Sequence, residues 1–244
     1  MNPKTGKIVC SQDEIKKVSL EYCKNTLESN KPEKEYEKLL QSKDDQVKRE
    51  MADCKEPFEV KYETFEKVVA KFKKSNKRNY DFLVKADKSF QDSVFTFCRS
   101  MIESETFPRD FKDTTLHMIF KGKGKKENLS DNRFIHSKPW LPRLVEGLIV
   151  EEGMKEALVT KSSMFQIGGQ PGHRPEEHMF VMKSLIAKIR AEEKPIVVQC
   201  WDISNIFYKE RISDAILTCL GRNANKKATK LWLNLNEDTI IKVG

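Results

Sequence analysis

Pro195-Ile196-Val197-Val198-Gln199-Cys200-Trp201 is a short, nearly continuous apolar run rich in β-branched residues, and it ends on Asp202. That composition and length predict a buried strand. A carboxylate at the end of such a strand is held rigidly while the chain turns away. This suits a metal ligand in phosphoryl transfer, because a fixed oxygen leaves room for substrate beside it. An aspartate capping a turn or a helix fits the same local pattern. Upstream, Pro175 is placed to open a helix with Met179, Met182, Leu185, Ile186 and Ile189 on one face. A glycine-rich turn is expected over 168–172 and a helix over about 141–158. Downstream, helices over about 213–220 and 225–235 and a strand over 239–243 are expected. Thr115 to Phe120 alternates in the manner of a strand and runs into Lys121-Gly122-Lys123-Gly124-Lys125-Lys126.

The front half reads as helices. Ser11 with Glu14 makes a capping box, followed by Ile15, Val18 and Tyr22 at helical spacing. The stretch 33–55 is mostly charged, with Leu39, Leu40, Val47 and Met51 as its apolar anchors. It is either a thinly packed helix or a partly mobile linker. Phe65, Val68, Val69 and Phe72 form a clear helical stripe, and Phe90, Val94, Phe97, Cys98, Met101 and Ile102 form a second. The expected fold class is α+β, with helices dominating the front and mixed structure behind.

The chain has 244 residues, 34% of them charged, and a mean hydropathy of −0.63. No apolar run approaches the roughly 18 residues of a membrane span. No signal-like apolar stretch follows Met1-Asn2-Pro3-Lys4. A soluble intracellular protein with reduced thiols is therefore expected, and no membrane partner. The six cysteines, at 10, 23, 54, 98, 200 and 219, contain no CxxC spacing, so neither a zinc ribbon nor a thioredoxin-like pair is predicted. His173 and His178 lack the spacing and partners of a zinc site.

The net charge of +8 is uneven. Residues 1–60 carry 12 basic and 13 acidic groups, 61–126 carry 16 and 9, and 127–244 carry 17 and 15. A surplus of +7 in one quarter of the chain points to a polyanion, nucleic acid first. Lys71, Lys73, Lys74, Lys77 and Arg78 read either as a solvated helix face or as a surface tracking phosphates. Lys121, Lys123, Lys125 and Lys126 lie among glycines that let the backbone approach phosphate, although a solvated hairpin turn has the same composition. Neither glycine group matches a P-loop or a dinucleotide-binding fingerprint.

Taken in order, these segments resemble the reverse transcriptases of non-LTR retrotransposons and group II introns. Phe107-Pro108-Arg109-Asp110-Phe111-Lys112, Ile119-Phe120-Lys121-Gly122-Lys123-Gly124 and Asn132-Arg133-Phe134-Ile135 resemble the fingers region. Gln166-Ile167-Gly168-Gly169-Gln170-Pro171-Gly172-His173-Arg174 resembles the family's Gln-x-Gly-x-Arg-Pro-Gly block. Asp202-Ile203-Ser204-Asn205-Ile206-Phe207-Tyr208 resembles the first palm motif. The likeness spans roughly residues 85–244. It implies that Asp202 and the carbonyl of Ile203 hold magnesium, and that Phe207 excludes a 2′-hydroxyl. Lys121 and Arg133 would hold the triphosphate of the incoming deoxynucleotide. Tyr208 and Asn205 depart from the common Asp and Lys.

The resemblance implies a helical, charged extension over 1–60 and fingers with an incomplete palm of a right-hand polymerase over 61–244. The activity it implies is RNA-directed DNA synthesis, with an RNA template, a DNA primer or RNA–DNA hybrid, and deoxynucleoside triphosphates as partners. The second metal motif (an aromatic-x-Asp-Asp hairpin) and the thumb have no counterpart in these residues, so a truncated, inactive reading frame is expected. Glu210 and Asp214 are expected to face away from the end of the 195–201 strand. A non-catalytic nucleic-acid-binding protein and a decayed element product without a stable fold are the rival readings.

Overall fold

Ser11 opens the described chain as a capping residue. Its Oγ accepts from the Glu14 amide and donates to the Glu14 carboxylate, both at 3.2 Å, and so starts α1 (Gln12–Glu28). The computed structural model describes residues 11–28, 34–52, 54–74, 81–160, 166, 168, 170, 172–200 and 211–243. After α1 come α2 (Lys34–Ala52), α3 (Tyr62–Lys74), α4 (Asp81–Lys85) and α5 (Lys88–Glu103). Strands β1 (Asp113–Phe120) and β2 (Asn132–Ser137) follow, then α6 (Trp140–Gly153), α7 (Lys155–Thr160) and α8 (Pro175–Ala191). The last elements are α9 (Ile212–Gly221), α10 (Lys226–Asn236) and β3 (Ile240–Val243). The fold class is α+β, mostly helical.

The core is helix on helix. Phe65, Val68 and Val69 of α3 meet Leu144, Val145, Leu148 and Ile149 of α6. Val94, Cys98, Met101 and Ile102 of α5 and Leu231 and Leu235 of α10 close the same cluster. Phe90 and Phe97, expected on the buried stripe of α5, are exposed instead. Phe90 meets the ring of Phe82 edge-on at 6.5 Å. Burial pushes the Cys98 thiol up to about 12, which leaves it a small hydrophobe with no nucleophilic role. Cys54, Cys98, Cys200 and Cys219 are free thiols.

The helix expected over 141–158 is divided at Met154. The Gly153 carbonyl accepts from the Asn225 amide at 2.9 Å, and a Cβ on Gly153 would collide with the Ala228 methyl. The missing side chain lets the start of α10 lie directly on the end of α6. Asn225 then caps α10 by accepting from the Ala228 amide at 2.9 Å.

The stretch 33–55 forms a helix where it is described. Leu40, Val47 and Met51 of α2 are buried, the last two against Ile216 of α9, while Leu39 faces out. Lys43 pairs with Asp214, Asp44 with Arg211 at 3.2 Å and Glu50 with Lys226 at 2.9 Å. Two apolar anchors, Val47 and Met51, and a row of ion pairs hold this helix to the C-terminal part of the chain.

The sheet has the order β2-β1-β3, with β1 antiparallel to β2 and parallel to β3. Helix α1 covers the face bearing Leu116, Met118 and Phe134. Ser19 donates to the Met118 sulfur at 3.7 Å, and the Tyr22 and Phe134 rings lie 5.5 Å apart. Strand β2 was not among the expected strands.

The strand expected over 195–201 does not form in its described part. Residues 195–200 are irregular, and Val197 is 84% exposed. A strand needs a ladder partner, and both sides of β1 are already taken by β2 and β3. Trp201 and Asp202 lie outside the described residues. No described helix is long and apolar enough to cross a membrane.

Candidate nucleic-acid interface

The hairpin between β1 and β2 is built around two side chains. The Asp131 carboxylate accepts from the Lys125 amide at 2.9 Å and from the Asn128 side chain at 3.2 Å. Asn132, buried at the start of β2, donates to the carbonyls of Asn128 at 2.6 Å and Lys126 at 3.0 Å. The Lys121 amide donates to the Asp131 carbonyl at 2.9 Å, and its ammonium to the Ser130 carbonyl at 2.7 Å. Gly124 has φ +84°, and any Cβ there would strike the Asp131 carboxylate. The loop is thus tied down from within, and its lysines are presented on a fixed frame.

The register decides what the frame presents. Ile119 pairs with Arg133 and Phe120 with Asn132. Side chains alternate along a strand, so Lys121 follows Ile119 onto the face that carries Arg133. This is the face away from α1. On it lie Ile119 and Ile135, both exposed, and His117 and Ser137, whose Nε2 and Oγ are 2.8 Å apart.

The cations of the basic quarter differ in their surroundings. Lys85 pairs with Asp81, Lys88 with Asp92, and Arg99 with both Glu59 and Glu103. Lys71 pairs with Glu151, which also binds Lys155. Burial pushes the Glu151 carboxyl up, but the hydrogen bonds from Lys155 and Lys71 outweigh it and hold the group below the usual carboxylate range. By contrast, Lys121, Lys123, Lys125, Lys126 and Arg133 are exposed and have no carboxylate partner among the described residues. Their loop also holds two acidic side chains, Glu127 and Asp131, and the Asp131 carboxylate is taken up by the backbone amide of Lys125 and by Asn128.

The structure therefore gathers Lys121, Lys123, Lys125, Lys126 and Arg133 on one hairpin and places Lys71 elsewhere, on the α3–α6 contact. Lys73 and Lys74 end α3, but their side chains lie outside the described residues, as do Lys77 and Arg78 entirely. Asp202, Ile203 and Phe207 also lie outside them, so the positions assigned to magnesium and to sugar selection have no described geometry. Asp214 is occupied by Lys43, while Glu210 is not described.

In the glycine-rich segment, Gly172 has φ +84° and leads into the start of α8. There the Glu177 carboxylate takes a 2.8 Å contact from His173 Nδ1 and a 3.2 Å bond from the Arg174 amide. The His173 bond chiefly draws the Glu177 carboxyl below its ordinary range. His173 therefore serves a helix start. Among the described residues, no three His, Cys, Asp or Glu side chains converge as a metal-binding group.

Arg133 shows what sequence reading missed in the fold. Its strand was not expected, and only the pairing with β1 reveals that Lys121 and Arg133 share a face. Comparison with protein-family models and with curated proteins finds no match to this chain.

Proposed function

We propose that this chain is a nucleic-acid-binding part of a reverse transcriptase-like protein, with the β1–β2 hairpin as a fingers element that grips phosphate. The observation that carries this reading is the cluster of five exposed basic residues on one internally braced hairpin, without acidic partners among the described residues. The motif order from Phe107 to Tyr208 supports the family; the charge arrangement supports the polyanion. In this reading Lys121 and Arg133 hold the triphosphate of an incoming deoxynucleotide. Lys123, Lys125 and Lys126 track the backbone of an RNA template or an RNA–DNA hybrid. A fixed frame matters because point charges held in place lose little freedom on binding.

Catalysis is a separate matter. Two metal ions bridged by carboxylates, about 3.5–4 Å apart, need ligands from more than one segment. Asp202 is the one carboxylate in this sequence that the resemblance assigns to metal, and magnesium gives up its waters reluctantly. The 244-residue chain is therefore expected to bind but not to polymerise.

One experiment covers both statements. Binding to a labelled RNA–DNA hybrid should be sequence-tolerant and fall linearly with log salt, by about 0.7–0.9 per phosphate contact. Primer extension with deoxynucleotides and magnesium or manganese should give no product. Undetectable binding at about 50 mM salt would sink the nucleic-acid reading. Extension that Asp202→Asn abolishes would instead show a second carboxylate set at work.

A further inference from the structure

Helix α8 buries none of its residues, yet its sequence carries a heptad seam. Met179, Met182, Ile186 and Ile189 recur at spacings of three, four and three, which places them on one stripe of a helix about 25 Å long. Met179 is 55% exposed, Met182 37% and Leu185, beside the seam, 47%. Ile186 and Ile189 of the stripe are half-buried, and Phe180 and Val181, exposed as well, lie toward the opposite side of the helix. An apolar seam of this kind on a charged helix marks a surface that meets another helix.

We infer that α8 pairs with α8 of a second copy of this chain, antiparallel, across a two-fold axis. The charge pattern selects that occupant. With Met179 and Met182 opposite Ile189 and Ile186 of the second copy, the flanking positions fall into a fixed register. Glu176 then faces Arg190 of the second copy, His178 faces Glu192 (which pairs with Lys194 of its own protomer at 2.6 Å), and Leu185 meets its own mate at the centre. Both outer contacts repeat by symmetry, so each end of the seam gains an acidic and a basic group in apposition. A parallel pair has no such match, since His178 would face Lys183 and Leu185 would face Arg190. The single like-charged contact, Lys183 with itself, lies at the edge, where a long side chain can turn its ammonium to water.

The test is the mass of the full chain in solution, measured by analytical ultracentrifugation. The wild-type chain should sediment at twice its 28.4 kDa, and Leu185→Glu should halve that mass. Because Leu185 is exposed and no residue of α8 is fully buried within the protomer, the far-ultraviolet circular dichroism of this variant should be unchanged. Glu176→Arg and Arg190→Glu should each weaken the dimer, and the two together should restore it. Leu185→Cys in a Cys200→Ser background should cross-link to a covalent dimer under mild oxidation. A monomeric wild type would overturn the inference. So would a dimer that survives Leu185→Glu, or a double charge reversal that restores nothing. Binding to the RNA–DNA hybrid should be retained by Leu185→Glu, which separates this inference from the functional reading.

Discussion

Alanine at Lys121, Lys123, Lys125 and Lys126 together is expected to cut affinity for an RNA–DNA hybrid about a thousandfold at about 50 mM salt. The magnitude follows from counterion release. The three lost backbone contacts of Lys123, Lys125 and Lys126 remove about 2–3 from the salt slope, and the slope acts over more than a decade of concentration between that buffer and about 1 M. The fold should survive, because the loop is held by Asp131 and Asn132 and not by the lysine side chains alone. The Lys121 ammonium bond to Ser130 is solvent-exposed and its loss should cost little. Lys85→Ala serves as the control, since that cation is paired with Asp81 on α4. Binding titrations at four or five salt concentrations read both variants. An unchanged slope in the quadruple variant would remove the hairpin from the interface.

The second large effect concerns stability and is carried by a glycine series. Gly153→Ala should destabilise the protein by about 3 kcal/mol, at the upper end of what overpacking usually costs. The new methyl would meet the Ala228 methyl and the Phe58 ring edge, the latter at 2.9 Å, and neither neighbour can swing away as a long flexible side chain would. Gly147→Ala is a milder case, with Val68 Cγ1 at 3.0 Å. Gly221 closes α9 with open space around it, so alanine there should stabilise by about 0.5–1 kcal/mol through the unfolded chain. Urea denaturation of the three variants gives the order directly. If Gly153→Ala proves as stable as Gly221→Ala, α10 does not pack on α6 as described.

The pattern of what was legible follows from the range of the interactions concerned. Helices α3 and α5 were readable because their apolar stripes recur within a single turn or two, although Phe90 and Phe97 of the α5 stripe stand exposed. The β1 strand was readable from its alternation and its lysine-rich turn. Strand β2 was not, because Arg133 and Ile135 share one face while Phe134 and His136 share the other. Mixing polar and apolar groups on both faces erases the period-two signal. The run 195–200 shows the opposite failure. Its β-branched content suggests a strand, but composition supplies no partner, and Val197 stands open to water. Helix α2 could be recognised as charged and thinly apolar, but its docking could not. Lys43 finds Asp214 171 residues away, which no local pattern encodes. For the candidate site, the lysines were legible as charge. The pairing that gathers them with Arg133 depends on register and became visible only in the fold.

The placement of β3 also governs the order in which the molecule can be assembled. Lys242 meets Asp113 from 129 positions further along the chain, and β3 can complete the sheet only after every element from β2 to α10 has been made. The same holds for α2, whose buried Val47 and Met51 wait for Ile216. Contacts of such long span form late and slowly, because the chain must lose its freedom before they repay it. During synthesis α2 therefore stays unsheltered until α9 has been made. Nascent chains halted before residue 211 should be far more sensitive to protease in α2 than chains released after residue 243.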